Sequence, residues 1–240
     1  MTTPRCRFCR SSNGDIVLDL GRQPACDHFP LVADPVPDPV YPLRLWLCAR
    51  CRLAQLAEDG TTPAEPRGIE PAALVAQARA AVQLVAEAGL LPPGASVAEY
   101  GSPHGGSWLD LLISRGLRTA DEPQLADVVI DCFGLMHAPD QHAALAERAA
   151  RLAPGGTLLL QFHSLASIVM GAQWNVVRHG HFAYYSTSAL CRMLESFGLA
   201  ASTAWRFDLY GGTVLLAARR AAQTDRAVRE LAQAEVIGGV

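Results

Sequence analysis

The chain has 240 residues, half of them hydrophobic, and a formal net charge of −3 at pH 7. This length allows one large domain, or one medium domain with a small module beside it. No basic run occurs, which argues against a nucleic-acid partner. No apolar stretch is long enough to span a bilayer and the amino terminus resembles no signal peptide, so we expect a cytoplasmic protein without membrane contact. Thiols stay reduced there, and the seven cysteines need a reason other than disulfides.

Two CxxC pairs predict a metal site in the first module, which we place at residues 1–65. Each pair puts two thiolates on one tight turn, and two facing turns give the tetrahedral sulfur cage that Zn²⁺ prefers. A closed cage of four thiolates leaves no open position, so the zinc is expected to be structural; the alternative is two redox or merely buried pairs. The four cysteines are Cys6, Cys9, Cys48 and Cys51. The other three are interpreted as free core thiols: Cys26, Cys132 and Cys191.

The rest of this module predicts a small β structure folded around the metal. Strand-like runs at Ile16–Gly21 and Leu43–Leu47 flank a proline-rich segment, residues 24–42. So few residues bury little surface, and the metal would supply folding energy. The run from Gly60 to Gly68 has the composition of a linker, which starts the second module at residue 66 and extends it to 240.

A strand, a glycine turn and a helix open the sheet of the second module. The strand is Ala95–Tyr100, Gly101, Gly105 and Gly106 form the turn, and an apolar helix starts near Leu109. Such a unit lets the backbone approach a nucleotide and points the amide groups of the helix start towards it. The alternative is an ordinary strand–helix turn without a ligand.

Strands and helices alternate along the second module, which predicts an α/β fold with a mostly parallel sheet covered on both faces. Two late strands are expected to be antiparallel. The predicted helices are Pro71–Gly89, Asp140–Leu152, Thr187–Phe197 and Ala222–Ala234. The further predicted strands are Asp127–Cys132, Thr157–Gln161 after a turn at Pro154–Gly156, Ala200–Asp208 and Thr213–Ala218.

Several motifs together resemble one family, the zinc-module sugar C-methyltransferases of antibiotic biosynthesis. The resemblance implies a Rossmann-like domain that uses S-adenosylmethionine, a structural zinc, and methyl transfer to a carbon next to a ketone of a nucleotide-linked deoxysugar. It covers most of the chain and is carried, besides the cysteines, by Asp19–Gly21, Tyr41–Leu43, Glu99–Ser102, Leu135–Asp140, the run LAPGGTLLL at 152–160, His179–Ser186 and Gly211–Gly212.

The chain departs from the family pattern at several polar positions. Pro103 and His104 replace an Asn-Asp pair in the glycine loop, and Cys132 and Phe133 replace an asparagine pair. In the family's Y-H-E-H run, Arg178 and Gly180 stand where the pattern has tyrosine and glutamate. About one strand–helix unit is missing between residues 117 and 126, and the family's third domain has no counterpart here.

The resemblance implies a set of cofactor contacts along the glycine loop. Glu99 would orient the loop, and an acidic residue after the second strand would hold the ribose hydroxyls. That strand is short here, so either of two acidic residues is a candidate. The implied cofactor residues are Glu99, Gly101, Ser102, Gly105, Asp121 and Glu122.

The same resemblance implies catalysis by a histidine. His181 matches the family's general base, Arg178 would stabilise the developing oxyanion, and His179 is either a neighbour in the site or structural. His137 and His163 are further candidates, and the default interpretation of Tyr184 and Tyr185 is aromatic core.

Three functional hypotheses follow. The first is a methyltransferase that uses S-adenosylmethionine on a small molecule, such as a nucleotide-linked sugar. The second is an enzyme on the same scaffold that moves a proton through His181 in an isomerisation, elimination or cyclisation without methyl transfer. The third is a non-catalytic protein that binds a homologous enzyme. A homo-oligomer or a homologous partner is compatible with each.

Overall fold

The computed structural model describes residues 3–26, 31, 33, 37–61, 70–101 and 106–240. Most of the linker and part of the glycine loop, including Ser102 and Gly105, lie outside these ranges. Two sheets make up the fold. No helix within the described ranges combines the length and the apolar character needed to cross a membrane.

The first sheet has four strands and belongs mainly to the amino-terminal module. Its order is β1–β2–β3–β8, and all three pairings are antiparallel. The fourth strand comes from the far end of the chain, since Ala54 pairs with Tyr184 and Gln55 with Ala183. The strands are β1 Gly14–Pro24, β2 Val40–Cys48, β3 Ala54–Leu56 and β8 Ala183–Tyr184.

The second sheet has six strands in the order β5–β4–β6–β7–β10–β9. The first four strands run parallel, whereas β10 is antiparallel to both β7 and β9. This confirms the α/β fold with a mostly parallel sheet and its two late antiparallel strands. The strands are β4 Ser96–Tyr100, β5 Arg118–Thr119, β6 Ala126–Cys132, β7 Leu152–His163, β9 Leu199–Phe207 and β10 Thr213–Arg220.

Helices cover both faces of this sheet, and polar caps fix where several of them begin. Asp140 accepts a hydrogen bond from the Ala143 amide, and Asp225 accepts one from the Val228 amide. These caps satisfy amide groups that the first helical turn leaves without a partner. The helices are α1 Ala72–Glu87, α2 Leu109–Ile113, α3 Gln141–Ala150, α4 Leu165–Met170, α5 Thr187–Glu195 and α6 Arg226–Ile237.

The apolar runs of the sheet form the core with the buried faces of α1, α3 and α5. One cluster lies under α1 and α2 and includes Val82, Val97 and Ile130. A second lies on the opposite face of the sheet and extends into the amino-terminal module through Phe8 and Trp46. The modules therefore share a hydrophobic core.

Several predicted boundaries shift by a few residues, and the starts of β7 and of the last helix shift most. Pro154–Gly156, expected as a turn before a strand, lies inside β7 as an irregularity, because the pairing jumps from Ala126–Leu152 to Val128–Thr157. The last helix begins at Arg226, since its cap is Asp225. The division of the chain near residue 65 stays a prediction, and β8 crosses it.

Candidate functional site

The four CxxC sulfurs converge at one end of the first module. Cys6 and Cys51 Sγ atoms are 3.4 Å apart, Cys9 and Cys48 Sγ atoms are 3.5 Å apart, and all four lie within 4.8 Å of one another. Sulfurs around a tetrahedral zinc with Zn–S bonds of about 2.3 Å are about 3.8 Å apart. The donor set therefore fits zinc.

Within the cluster, the electrostatics favour a thiolate at Cys6. Its hydrogen bond with Cys51 lowers the pKa of the Cys6 thiol to about 5 against the opposing effect of burial and raises the pKa of the Cys51 thiol, while burial raises the pKa of Cys9. The Phe8 and Cys9 amides also point at the Cys6 sulfur, each at 3.4 Å. A thiolate held this way is a ready metal ligand. Four thiolates close the site, so its role is structural.

Glu99 organises the start of the helix after the glycine turn. Its carboxylate accepts from the Trp108 amide at 2.6 Å and from the Ser107 hydroxyl at 2.5 Å. Burial raises the pKa of Glu99, and these two hydrogen bonds oppose that rise. The residue thus fixes Ser107 and Trp108 at the start of α2.

Gly101 lies at the carboxyl end of β4 with room in front of it. A Cβ built there would meet no described atom within 4 Å. Gly134, after β6, packs behind it, because a Cβ at Gly134 would lie 2.8 Å from the Gly101 carbonyl oxygen. The backbone at Gly101 is thus an open cradle at the switch point of the α/β sheet, which is where such sheets bind ligands.

A buried ion pair fixes the segment that follows Gly134. Asp131 Oδ2 lies 2.6 Å from Arg148 Nε, and Asp131 Oδ1 accepts from the Leu135 amide at 2.9 Å. Both side chains are less than a tenth exposed. This pair holds the 3₁₀ turn Leu135–His137 at the carboxyl edge of the sheet. Sequence patterns did not predict the pair.

Asp121 and Glu122, the two candidates for the contact with the ribose, do not reach the carboxyl edge of the sheet. Strand β5 has only two residues, and Thr119 pairs with Val97 rather than with the end of β4. The chain then turns back, because the Gln124 amide donates to the Asp121 carbonyl and Arg151 binds the Ala120 carbonyl. At about 3.3 Å per residue, Asp121 is roughly 7 Å short of the level of Gly101. Both Asp121 and Glu122 are exposed.

His181 meets a second histidine at the carboxyl edge. Its ring packs edge-on against His137, with ring centroids 4.8 Å apart and planes at 89°. The Phe182 amide donates to the Met136 carbonyl at 2.8 Å and joins the two segments. His137 is the third residue after Gly134, so the imidazole pair lies one short turn from the cradle at Gly101.

The other two residues of the predicted catalytic run have different surroundings. His179 is fully buried, and its Nε2 donates to the Pro42 carbonyl at 3.2 Å beside the Tyr41 ring. This favours the structural interpretation of His179. The Arg178 amide donates to the Tyr184 hydroxyl at 3.1 Å, and the positive charge of Arg178 acts on that phenol. Arg178 and His181 thus flank Tyr184, which is buried core.

His163 reaches the same edge from the end of β7. Burial lowers the pKa of its imidazole, which keeps the ring neutral at pH 7. Its centroid lies 6.4 Å from that of Tyr210. Three histidines therefore lie at or near the ends of parallel strands, where ligands of open α/β sheets bind.

Two family models match this chain. A putative zinc-binding domain matches residues 6–63, and a methyltransferase domain matches residues 116–203. The four converging cysteines lie in the first match, and His137, His163 and His181 lie in the second. Along the chain, the match to a zinc-binding domain thus precedes the match to a methyltransferase domain.

A curated relative is also similar to this chain. The chain is 35% identical over 98 residues to the C-methyltransferase NovU of Streptomyces niveus. The match covers 41% of this chain, and it spans about a quarter of the relative's length. Together with the two domain matches, it confirms the resemblance to zinc-module C-methyltransferases.

Solved methyltransferases are similar to this chain at low identity. The chain is 14% identical to the N-methyltransferase NodS of Bradyrhizobium japonicum in complex with S-adenosyl-L-homocysteine, with a TM-score of 0.47 over 67% of this chain and 94% of NodS. It is 15% identical to the magnesium protoporphyrin IX methyltransferase of Synechocystis PCC 6803 with bound S-adenosylhomocysteine, with a TM-score of 0.44 over 61% and 83% of the two chains.

Proposed function

We propose that this chain transfers a methyl group from S-adenosylmethionine to a carbon atom of a small molecule. The observation that carries the proposal is the short path from the open backbone at Gly101 to the imidazole pair at His137 and His181. A donor pocket and a proton acceptor then lie on one edge of the sheet. The C-methyltransferase relative supports carbon as the acceptor atom.

The protein's contribution is alignment and deprotonation. S-adenosylmethionine, when bound, supplies a methyl group already activated by its sulfonium. His181 takes the proton from the acceptor carbon, since an imidazole can accept a proton and release it again near neutral pH. Arg178 favours the oxyanion that forms as the proton leaves. Glu99 holds the start of α2, directly after the glycine turn, through the Trp108 amide.

For the acceptor we propose a keto group next to the methylated carbon, on a nucleotide-linked deoxysugar. A neighbouring ketone makes the carbon–hydrogen bond acidic enough for an imidazole to act on it, because the charge moves to oxygen. The resemblance to sugar C-methyltransferases supports this substrate class.

Donor binding tests the first half of the proposal. Calorimetry on the zinc-loaded protein should show S-adenosylmethionine and S-adenosylhomocysteine binding to one site. The Gly101→Val variant should abolish both, because the new side chain fills the open space in the cradle without an unfavourable backbone angle. Gly60→Val, at another exposed glycine without a positive φ, is the matched control and should bind normally. Wild-type protein that binds neither ligand would overturn the proposal.

The short strand β5 favours one rival function. Because the acidic residues after it stop short of the edge, a donor would lose an expected ribose contact. An enzyme that moves a proton through His181 without methyl transfer needs no such contact. Incubation of a nucleotide-linked keto-deoxysugar in D₂O separates the two. Deuterium uptake with transfer of labelled methyl supports the methyltransferase, and uptake with no methyl transfer supports the rival.

A further inference from the structure

Two aromatic residues in strained backbone conformations meet at the carboxyl edge of the sheet. Phe133, directly after β6, has φ 63°, and Tyr210, in the 3₁₀ turn Leu209–Gly211, has φ 54°. Their rings are in edge contact with centroids 6.1 Å apart. Left-handed backbone is unfavourable for such side chains and is retained where the surrounding structure holds it in place, often at ligand sites. Tyr210 is nevertheless half exposed.

A carboxylate at the glycine turn acts electrostatically on Tyr210. Glu70 comes just before α1, and its Oε1 is 2.6 Å from the point where a Cβ on Gly106 would lie, so it rests on the glycine turn. Helix α1 contacts the Tyr210 turn. Burial raises the pKa values of Tyr210 and of Cys132, the neighbour of Phe133, and the charge of Glu70 adds to both rises.

Two carboxylates give this edge of the sheet a negative charge. Glu70 also adds to the raised pKa of Glu99, whose main cause is burial. Within the described ranges, neither of these two carboxylates forms a salt bridge. Two carboxylates and the faces of two rings together favour a positively charged ligand group.

We propose that Glu70, Phe133 and Tyr210 form the part of the donor pocket that recognises the sulfonium of S-adenosylmethionine. This rests on the proposed function. Aromatic rings attract a diffuse alkylated cation, and a carboxylate at the same place adds a direct charge attraction. Phe133 immediately precedes Gly134, so the cage lies between the cradle and His137. The attraction is lost when the methyl leaves, because the sulfur of the product is neutral. The cage therefore favours the donor over its product.

The test compares affinities for S-adenosylmethionine and S-adenosylhomocysteine by calorimetry. Glu70→Gln should weaken binding of the donor about tenfold while changing binding of the product less than about twofold. Tyr210→Leu should shift the ratio in the same direction, and Tyr210→Phe should restore it, since the ring is what matters. Glu87→Gln, an exposed carboxylate at the other end of α1, is the matched control and should change neither affinity.

The outcomes distinguish a failure of the sulfonium cage from a failure of the proposed methyltransferase function. Wild-type protein that binds neither ligand overturns the methyltransferase function itself. Wild-type protein that binds both, with a donor-to-product ratio unchanged in Glu70→Gln, overturns only the cage. Equal loss of both affinities in Glu70→Gln also overturns it, because the carboxylate would then contact a group that donor and product share. Retained melting temperatures in each variant show that the comparison is made on folded protein.

Discussion

Two histidines that are two residues apart have opposite surroundings in this protein. His181 packs against His137 at the carboxyl edge, whereas His179 is enclosed between the modules and bonded to the Pro42 carbonyl. A histidine's role depends on which groups reach its ring nitrogens, and adjacency in sequence does not decide that.

We therefore expect the two alanine variants to fail in different ways. His181→Ala should lower kcat by about two to four orders of magnitude, the usual effect of removing a general base, with the donor affinity and Tm retained. His179→Ala should lower the free energy of unfolding by about 1–3 kcal/mol, because it removes a fully buried ring and leaves the half-buried Pro42 carbonyl without its donor. Steady-state kinetics and thermal melts measure both.

One result would reassign the base. If His181→Ala turns over substrate at the wild-type rate, the proton goes elsewhere, and His163, with its neutral imidazole at the same edge, becomes the next residue to test. A normal Tm in His179→Ala would contradict its structural role.

At the scale of single elements, the turn Leu135–His137 depends on the buried pair Asp131–Arg148. Arg148→Met removes the partner of a carboxylate that stays buried, which should cost about 3–5 kcal/mol of unfolding free energy. Urea unfolding followed by circular dichroism measures this. Arg226→Met, at an exposed pair with Glu230 on α6, is the control and should leave stability unchanged. Equal behaviour of the two variants would contradict the importance of the buried pair.

The elements that the sequence predicted well are those with a local signal. The apolar runs of β4 and β6 and the cap at Asp140 depend on neighbouring residues, and the CxxC spacing encodes its own geometry. The elements it missed depend on distant partners. Strand β8 has two residues and is extended only because it pairs with the edge of β3. The residues near Ala183 carry no local pattern that predicts this pairing.

The candidate site shows the same division. Glu99 and Gly101 belong to a motif that is contiguous in sequence. Glu70 follows a linker-like run and reaches the glycine turn only because α1 packs across the sheet. Asp131 and Arg148 are 17 residues apart and meet through the packing of α3. Such pairings depend on tertiary packing, which single-sequence periodicity does not report.

At the scale of the whole molecule, the zinc site stabilises more than its own module. Before His181, the Gly180 amide donates to Asp59 at 2.8 Å. After His181, β8 pairs with β3, so the amino-terminal module holds the chain on both sides of this histidine. Loss of zinc should therefore lower Tm and turnover together. Removal of a catalytic metal would instead lower turnover before it lowered Tm.

Chelation with a measured zinc content checks this. Elemental analysis should give one zinc per chain, and stepwise removal should reduce the folded fraction and the rate in parallel. Cys48→Ser should purify with less zinc and a lower Tm, and Cys26→Ser, outside the cage, should match the wild type. Zinc-free protein with four freely titrating thiols and an unchanged melt would contradict a structural zinc.

The shared sheet also changes what a cut in the chain would do. Because β8 is hydrogen-bonded into the amino-terminal module and Phe8 packs on Phe197, the covalent link through residues 62–69 is not what holds the halves together. A chain cleaved there would elute as one species from a sizing column and come apart only in denaturant. Two cistrons encoding the halves would then reassemble the protein by fragment complementation, and neither half could be exchanged with that of a relative unless the β3 and β8 edges matched.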